Sequence, residues 1–266
     1  MNILFAGEGG QGVQKIAQAL NLAASKKYQS TYINSFGVEQ RGSPSLAFIK
    51  ISDKEISYPR FNHADICLIM NARSIAVVEK FISANTEIIF DSSTINHLDL
   101  TKISQRKYGI PATQYAYDKF DRRSYNIILY GVVTKMLKID EKISWDAILN
   151  FLGKKFKTTE IADLNHDAFI FGREATTETK DFTSPEYKTK KGITIAKNSK
   201  RRATIVPSRC KGCLICVIKC PVKALAAGSD LGVYGTPVPD IDIEKCIACG
   251  NCKRFCPDGA IGVDKL

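Results

Sequence analysis

Cys210-x2-Cys213-x2-Cys216-x3-Cys220, closed by Pro221, recurs 36 residues later as Cys246-x2-Cys249-x2-Cys252-x3-Cys256, closed by Pro257. No other feature constrains the fold so tightly. The echo continues past the prolines, where Ala224-Leu225 is matched by Ala260-Ile261. A repeat at one fixed spacing implies two pseudo-equivalent halves packed around one core. The ninth cysteine, Cys67, stands apart in the apolar segment Ala64 to Met70. That segment reads as a buried strand, and Cys67 as a small apolar core residue.

Thiolates at this spacing admit two metal chemistries. Cys-x2-Cys pairs build zinc ribbons, but zinc rarely needs a third cysteine two residues on. A cubane cluster needs four thiolates. Three closely spaced cysteines on a tight loop reach three of its corners, and the fourth ligand comes from elsewhere. This is the spacing of two-cluster ferredoxins, whose fourth cysteine serves the other cluster. Cys210, Cys213, Cys216 and Cys256 are therefore assigned to one 4Fe–4S cluster, and Cys246, Cys249, Cys252 and Cys220 to the second. Gly212 and Gly250 let backbone approach the inorganic sulfurs and offer amide donors. Pro221 and Pro257 turn the chain away without leaving an orphan amide.

The rest of the chain is organised differently. Residues 3–6 read as a short apolar strand, followed by Gly7-Glu8-Gly9-Gly10-Gln11-Gly12. Val13, Ile16, Ala17, Leu20 and Ala24 then share one helical face. Further strands are expected at 30–33, 45–51, 65–70 and 87–90, with a structured loop from Phe36 to Pro44 and a helix over 72–82. Residues 122 to about 177 read as mostly helical. Strands alternating with helices imply an α/β Rossmann-like domain with a mostly parallel sheet, followed by a small α+β two-cluster ferredoxin domain. The expected organisation is an α/β domain over 1–178, a basic linker over 179–203 and the ferredoxin domain over 204–266.

Gly7, Gly9 and Gly12 match G-x-G-x-x-G between a strand and a helix. Such glycines let a phosphate approach the backbone, and the helix N-terminus favours the anion. A dinucleotide site also places an acidic residue at the end of the second strand. Asn34 and Ser35 stand there, which weakens a nicotinamide reading. The other reading is a tight strand–helix turn in close contact with another chain, and the two stay open. His63, His97 and His166 share no metal spacing. There is no nucleophile elbow, no Walker lysine and no Gly-Asp-Gly diphosphate motif.

Net charge is +11, unevenly spread. Residues 179–203 carry 8 Lys+Arg against 2 Asp+Glu, a net +6, whereas residues 1–178 carry 22 against 19, a net +3. Phe182 and Tyr187 are its only aromatics, so it reads as a solvated segment that docks on an acidic partner rather than a nucleic-acid site. Apolar runs such as Ile127 to Val133 fall far short of the ~20 residues that cross a bilayer. The first residues form no basic leader or cleavage site, and the expectation is a cytoplasmic protein without membrane contact.

Gly7-Glu8-Gly9-Gly10-Gln11-Gly12 and Phe36-Gly37-Val38-Glu39-Gln40-Arg41-Gly42-Ser43-Pro44 together resemble the gamma subunit of 2-oxoacid:ferredoxin oxidoreductases. Ser52-Asp53 with Ile56, and Ile161-Ala162-Asp163-Leu164-Asn165, add to the resemblance, and the tail is similar to the family's delta subunit. The resemblance implies a fused gamma–delta subunit working with alpha and beta chains. In the family those chains hold thiamine diphosphate and Mg, decarboxylate the 2-oxo acid and pass the acyl group to coenzyme A. It implies further that the clusters here relay electrons singly to an external ferredoxin. Gly7, Gly9, Gly10 and Gly12, with Glu39 and Arg41, become candidates for shaping the interface or a coenzyme A phosphate site. An ion pair that holds the loop is the plainer role for Glu39 and Arg41. The 36–44 loop with Ala47-Phe48 resembles the pyruvate or 2-oxoisovalerate branch. Cys210-Lys211-Gly212-Cys213 and Cys256-Pro257-Asp258, with Gly235 to Pro239 between them, resemble the 2-oxoglutarate branch. Pyruvate is the expectation. A self-contained NAD-linked oxidoreductase and a scaffold with structural clusters are the readings from other classes.

Overall fold

The computed structural model describes residues 1–36, 44–95, 100, 106–121, 123–152, 159–175, 192–232 and 237–266. The chain divides into two compact units, Met1–Pro185 and Glu186–Leu266.

The first unit runs β1 (Asn2–Glu8), α1 (Val13–Ala24), β2 (Gln29–Phe36), β3 (Pro44–Ser52), β4 (Ile66–Ile69), α2 (Ile75–Val78), β5 (Glu87–Asp91), β6 (Arg106–Ile110), α3 (Ala112–Lys119), α4 (Tyr125–Met136), α5 (Glu141–Leu149) and α6 (Thr159–Glu174). Its strands form one sheet in the order β2-β3-β1-β4-β5-β6. β1, β4, β5 and β6 pair in parallel. β3 runs antiparallel to both neighbours, from Asn2↔Lys50 to Glu8↔Pro44 on one side and from Gln29↔Ser52 to Phe36↔Ser45 on the other. The sheet is therefore mixed, with mostly parallel strands. The departure from a doubly wound order has a simple cause. Residues 37–43 separate β2 from β3, and a parallel crossover needs a dozen residues or more.

Both sheet faces are covered. Along β1, Ile3 and Phe5 join one core cluster with α1 and α4, while Leu4 and Ala6 join the other with Ile75 and Val78. The period of two sends alternate residues to opposite faces, and covering both explains the unbroken apolar run. Cys67 is fully buried in β4. Every residue from Ile127 to Thr134 in α4 is buried, as befits a helix enclosed on all sides. The 72–82 segment is less regular than a single helix: α2 is one turn, flanked by 3₁₀ turns at Ala72–Ser74 and Glu79–Phe81.

The second unit contains β7 (Thr194–Lys197), β8 (Arg201–Ile205), α7 (Ile215–Ile218), β9 (Leu225–Leu231), β10 (Pro237–Ile241), α8 (Asn251–Phe255) and β11 (Ile261–Lys265). β11-β8-β7 form one antiparallel sheet and β10-β9 another. The basic stretch expected as a linker over 179–203 thus supplies two strands. Ala203 and Ile205 of β8 are buried, while Arg202 points out. The charges mask a strand whose apolar side is only two positions wide.

The 36-residue repeat is structural. β8 corresponds to β10 and β9 to β11, yet each half pairs its strands with the other half's. Ile205 faces Ile261 and, 36 residues on and back respectively, Ile241 faces Leu225. Val206 N–H donates to Ala260 O at 2.8 Å, and its counterpart Asp242 N–H donates to Ala224 O at 2.8 Å. The halves are mutually exchanged, so neither completes a sheet alone.

In the first unit α4 and α6 cross at two glycines. A Cβ on Gly172 would stand 2.0 Å from Ile128 O, and one on Gly131 would stand 2.4 Å from Phe169 O. Both obstacles are backbone. Gly172→Ala is expected to cost about 2–3 kcal/mol by overpacking, read as a lowered guanidinium midpoint of the full chain. Lys142→Ala, on the exposed side of α5, should change stability by less than about 0.5 kcal/mol.

Candidate functional site

The eight clustered cysteines fall into two cavities. The first has about 360 Å³ of empty space, part of it open to solvent, and is lined by Cys210, Cys213, Cys216 and Cys256, with Ile205, Lys211, Leu214, Ile215, Pro239, Asp258, Ala260 and Ile261. The second has about 320 Å³ of such space and gathers Cys246, Cys249, Cys252 and Cys220. Shifting the first lining by 36 residues reproduces the second everywhere except at Pro239. Each cavity thus takes three cysteines from one half and one from the other.

Local backbone makes these loops. Three pairs of residues 36 apart hold positive φ: Gly212 (64°) and Ala248 (53°), Leu214 (55°) and Gly250 (75°), Lys223 (50°) and Gly259 (58°). Each pair uses glycine once. The left-handed residue at Leu214 or Gly250 immediately precedes α7 or α8 and turns the chain so that the third cysteine faces inward. Backbone donors then point at sulfur. Gly212 N–H donates to Cys210 Sγ and Ala248 N–H to Cys246 Sγ, both at 3.4 Å. Ala224 N–H donates to Cys220 Sγ and Ala260 N–H to Cys256 Sγ, both at 3.2 Å.

The donor set fits a cationic iron–sulfide core. Burial pushes the Cys210 thiol up to about 11, against the pull of Gly212 N–H, with Cys213, Cys256 and Asp258 adding to the rise. Burial, then Cys210 and Cys213, push Cys216 up to about 12. Four thiolates in one such cavity repel one another and exist together only around positive charge, so metal assembly there expels protons.

The cavities differ in one respect. Lys211 Nζ lies 3.2 Å from Asp258 Oδ2, and the lysine side chain is only 6% exposed. At the corresponding positions of the second cavity stand Ile247 and Val222. The spacing of the cysteines carries no hint of this pair. Comparing the halves at offset 36 finds it.

The glycine loop lies at the carboxyl ends of β1 and β4, where open α/β sheets bind ligands. Here it is filled by its own chain. Gln11 Oε1 accepts from Glu8 N–H at 2.8 Å, and Gln11 Nε2 donates to Met70 O at 3.3 Å. Asn126 Nδ2 at the start of α4 donates to Gln11 O at 3.1 Å. A Cβ on Gly12 would meet Asn126 Nδ2 at 2.3 Å, and one on Gly7 would meet Gln11 Oε1 and Val13 Cγ2 at 2.7 Å. Gly10, with φ of 105°, meets nothing within 4 Å, and Gly9 is half-buried. The surroundings are acidic. Glu8 is buried beside Arg73 at 3.0 Å, and Asp91 at the end of β5 is buried. Burial pushes the Asp91 carboxyl up, against the Thr113 hydroxyl and Ser93. Burial also raises the Tyr125 phenol, with Asp91 and Glu8 contributing. β3 stands between β1 and β2, which moves Asn34 and Ser35 roughly 5 Å farther from the loop than in a dinucleotide fold. Glu39 and Arg41 lie outside the described residues.

The family model described as pyruvate ferredoxin/flavodoxin oxidoreductase matches residues 2–175, and a 4Fe-4S dicluster domain matches residues 209–260. The chain therefore belongs to the pyruvate ferredoxin/flavodoxin oxidoreductase family and ends in a 4Fe-4S dicluster domain. It is 32% identical over 149 residues to the 2-oxoglutarate synthase subunit KorC of Archaeoglobus fulgidus, covering 54% of this chain and 74% of that one. It is 31% identical over 175 residues to the pyruvate synthase subunit PorC of Methanocaldococcus jannaschii, covering 61% and 94%. The keto/oxoacid ferredoxin oxidoreductase gamma subunit of Geobacter sulfurreducens shares the fold, with a TM-score of 0.51 at 22% identity over 64% of this chain and 95% of that one. Like these relatives, the chain is an oxidoreductase subunit. No helix among the described residues is long and apolar enough to cross a membrane.

The paired left-handed positions make a backbone test. Gly259 has open space around its missing Cβ, so Gly259→Ala meets only the left-handed penalty and should cost about 1 kcal/mol. Lys223→Gly, its counterpart, removes that penalty and should stabilise by up to about 1 kcal/mol. Both are read from the denaturation midpoint of the cluster-loaded full chain. Equal and same-signed shifts would mean that the repeat is not a backbone symmetry.

Proposed function

We propose that this chain is the electron-relay and structural subunit of a thiamine-diphosphate-dependent 2-oxoacid:ferredoxin oxidoreductase. The complex converts a 2-oxo acid, coenzyme A and oxidised ferredoxin into an acyl-coenzyme A, CO2 and reduced ferredoxin. The observation that carries this reading is the gathering of eight cysteines into two four-cysteine cavities on a chain whose first unit belongs to this enzyme family.

Cys210, Cys213, Cys216 and Cys256 would hold one 4Fe–4S cluster, and Cys246, Cys249, Cys252 and Cys220 the other. Each bound cluster supplies a one-electron site of low potential. The protein's part is to hold the sulfurs, screen them from water and aim amide dipoles at them. Gly212, Ala224, Ala248 and Ala260 donate to cysteine sulfurs, which favours the more negative, reduced form. Two such sites let a two-electron oxidation on a partner chain leave in single steps.

Alpha and beta chains carrying thiamine diphosphate and Mg would perform the decarboxylation, and an external ferredoxin would take the electrons. Coenzyme A would enter through the same partners. The first unit would frame that region, with the exposed side of the glycine loop at Gly9 and Gly10 turned to the interface. Glu39 and Arg41 would shape that interface or meet a coenzyme A phosphate. Pyruvate is the proposed acid, on the resemblance of the 36–44 loop. 2-Oxoglutarate is the second reading, favoured by the likeness to KorC and by the sequence around Lys211 and Asp258. A cytoplasmic location accords with these partners.

Anaerobic co-expression with the partner chains tests the proposal. The purified complex should contain about eight irons per copy of this chain beyond those of its partners. A 2-oxo acid with coenzyme A should bleach the cluster absorbance, pyruvate more strongly than 2-oxoglutarate. About four irons, bound zinc, or reduction by NADH alone would overturn it.

A further inference from the structure

The two cavities are copies in backbone and in cysteine placement but not in charge. Lys211 follows the first cysteine of its run, and Asp258 lies two residues after the crossed ligand Cys256. Both line the first cavity, and their side chains pair at 3.2 Å with exposures of 6% and 25%. The equivalent residues, Ile247 and Val222, also line the second cavity and carry no charge. Charges this deep are weakly screened compared with surface pairs. Adding an electron to a cluster adds one negative charge and moves no proton. A neighbouring cation favours that step and a neighbouring anion opposes it.

We infer that the Lys211–Asp258 pair sets the reduction potential of the cluster held by Cys210, Cys213, Cys216 and Cys256, and leaves the other cluster alone. Lys211 holds that potential up and Asp258 pulls it down. The pair crosses between the halves, as Cys256 does, so it also registers the charge with the cavity it serves. The two electron sites on this chain are thereby inequivalent, one tuned by a largely buried lysine and its half-buried aspartate partner, the other by apolar side chains. The inference rests on the clusters filling both cavities.

The experiment uses the cluster-loaded full chain, reduced by one-electron steps with dithionite and low-potential mediators. Cluster signals are followed by EPR against applied potential. Lys211→Met should shift one of two components downward by about tenfold in reduced-to-oxidised ratio, roughly 59 mV for one electron. Asp258→Asn should shift that same component upward by a similar factor. Lys211→Arg, which keeps the charge, should restore the starting value. Ile247→Lys, which brings a cation to the second cavity, should raise the other component, by less because that position is half exposed. Iron content should remain about eight per chain in every variant. Loss of iron from the unaltered chain would refute the cluster reading itself. Full iron with both components moving together, neither moving, or Lys211→Arg behaving like Lys211→Met would overturn the inference alone.

Discussion

A loop with cysteines three residues apart reaches three corners of a cube and cannot close around the fourth. The second unit is arranged around that limit. Cys220 and Cys256 leave their own halves to serve the opposite cavity, and the strands behave in the same way. β8 pairs with β11 and β9 with β10, so covalent continuity and hydrogen bonding bind different pairs of segments. Such an exchange makes folding and ligand assembly mutually dependent, because neither half buries its apolar face alone. The small core offers little to spare. Three cysteines of each cavity belong to this core, Cys210, Cys216 and Cys256 in one and Cys220, Cys246 and Cys252 in the other.

The first unit follows another logic. Its sheet places loops at the carboxyl ends of parallel strands, a usual place for a ligand. The glycine loop there is occupied by Gln11, Asn126 and the buried Glu8. Glycine at positions 7 and 12 admits those neighbours, and the antiparallel β3 separates β1 from the strand that would read a ribose. The filled loop accords with the role proposed for this unit, framing a site on partner chains. That division of labour matches an oxidoreductase subunit whose chemistry is completed elsewhere.

Much of this was legible in the sequence. The cysteine spacing pointed to two four-cysteine groups, because ligation chemistry admits few solutions at that spacing, and the structure gathers the eight cysteines into two cavities. The first strands and α1 were legible from apolar runs covered on both sides. Other elements were hidden for physical reasons. β7 and β8 lay in a stretch dominated by Lys197, Lys200, Arg201 and Arg202, whose charges face solvent on short strands. β6, Arg106 to Ile110, sits at a sheet edge and shows few apolar residues. Antiparallel β3 was invisible to a strand–helix alternation rule because orientation depends on the connection and not on the strand. The left-handed Leu214, Lys223 and Ala248 were missed because only glycine advertises positive φ, although each lies 36 residues from a glycine that does. Lys211 and Asp258 were visible as residues, but their burial and pairing needed the exchanged halves.

Crossed ligation is the claim on which the account turns, and paired deletions test it. Cys246→Ala with Cys220→Ala removes two ligands from one cluster and leaves the other complete. Cys246→Ala with Cys256→Ala removes one ligand from each. Iron and acid-labile sulfide measured on the anaerobically loaded full chain should give about four irons and one intact cluster signal for the first variant. The second should lose or degrade both signals. The reverse result, one intact cluster in the variant lacking Cys246 and Cys256, would show that each run supplies all four of its own ligands and would contradict the account.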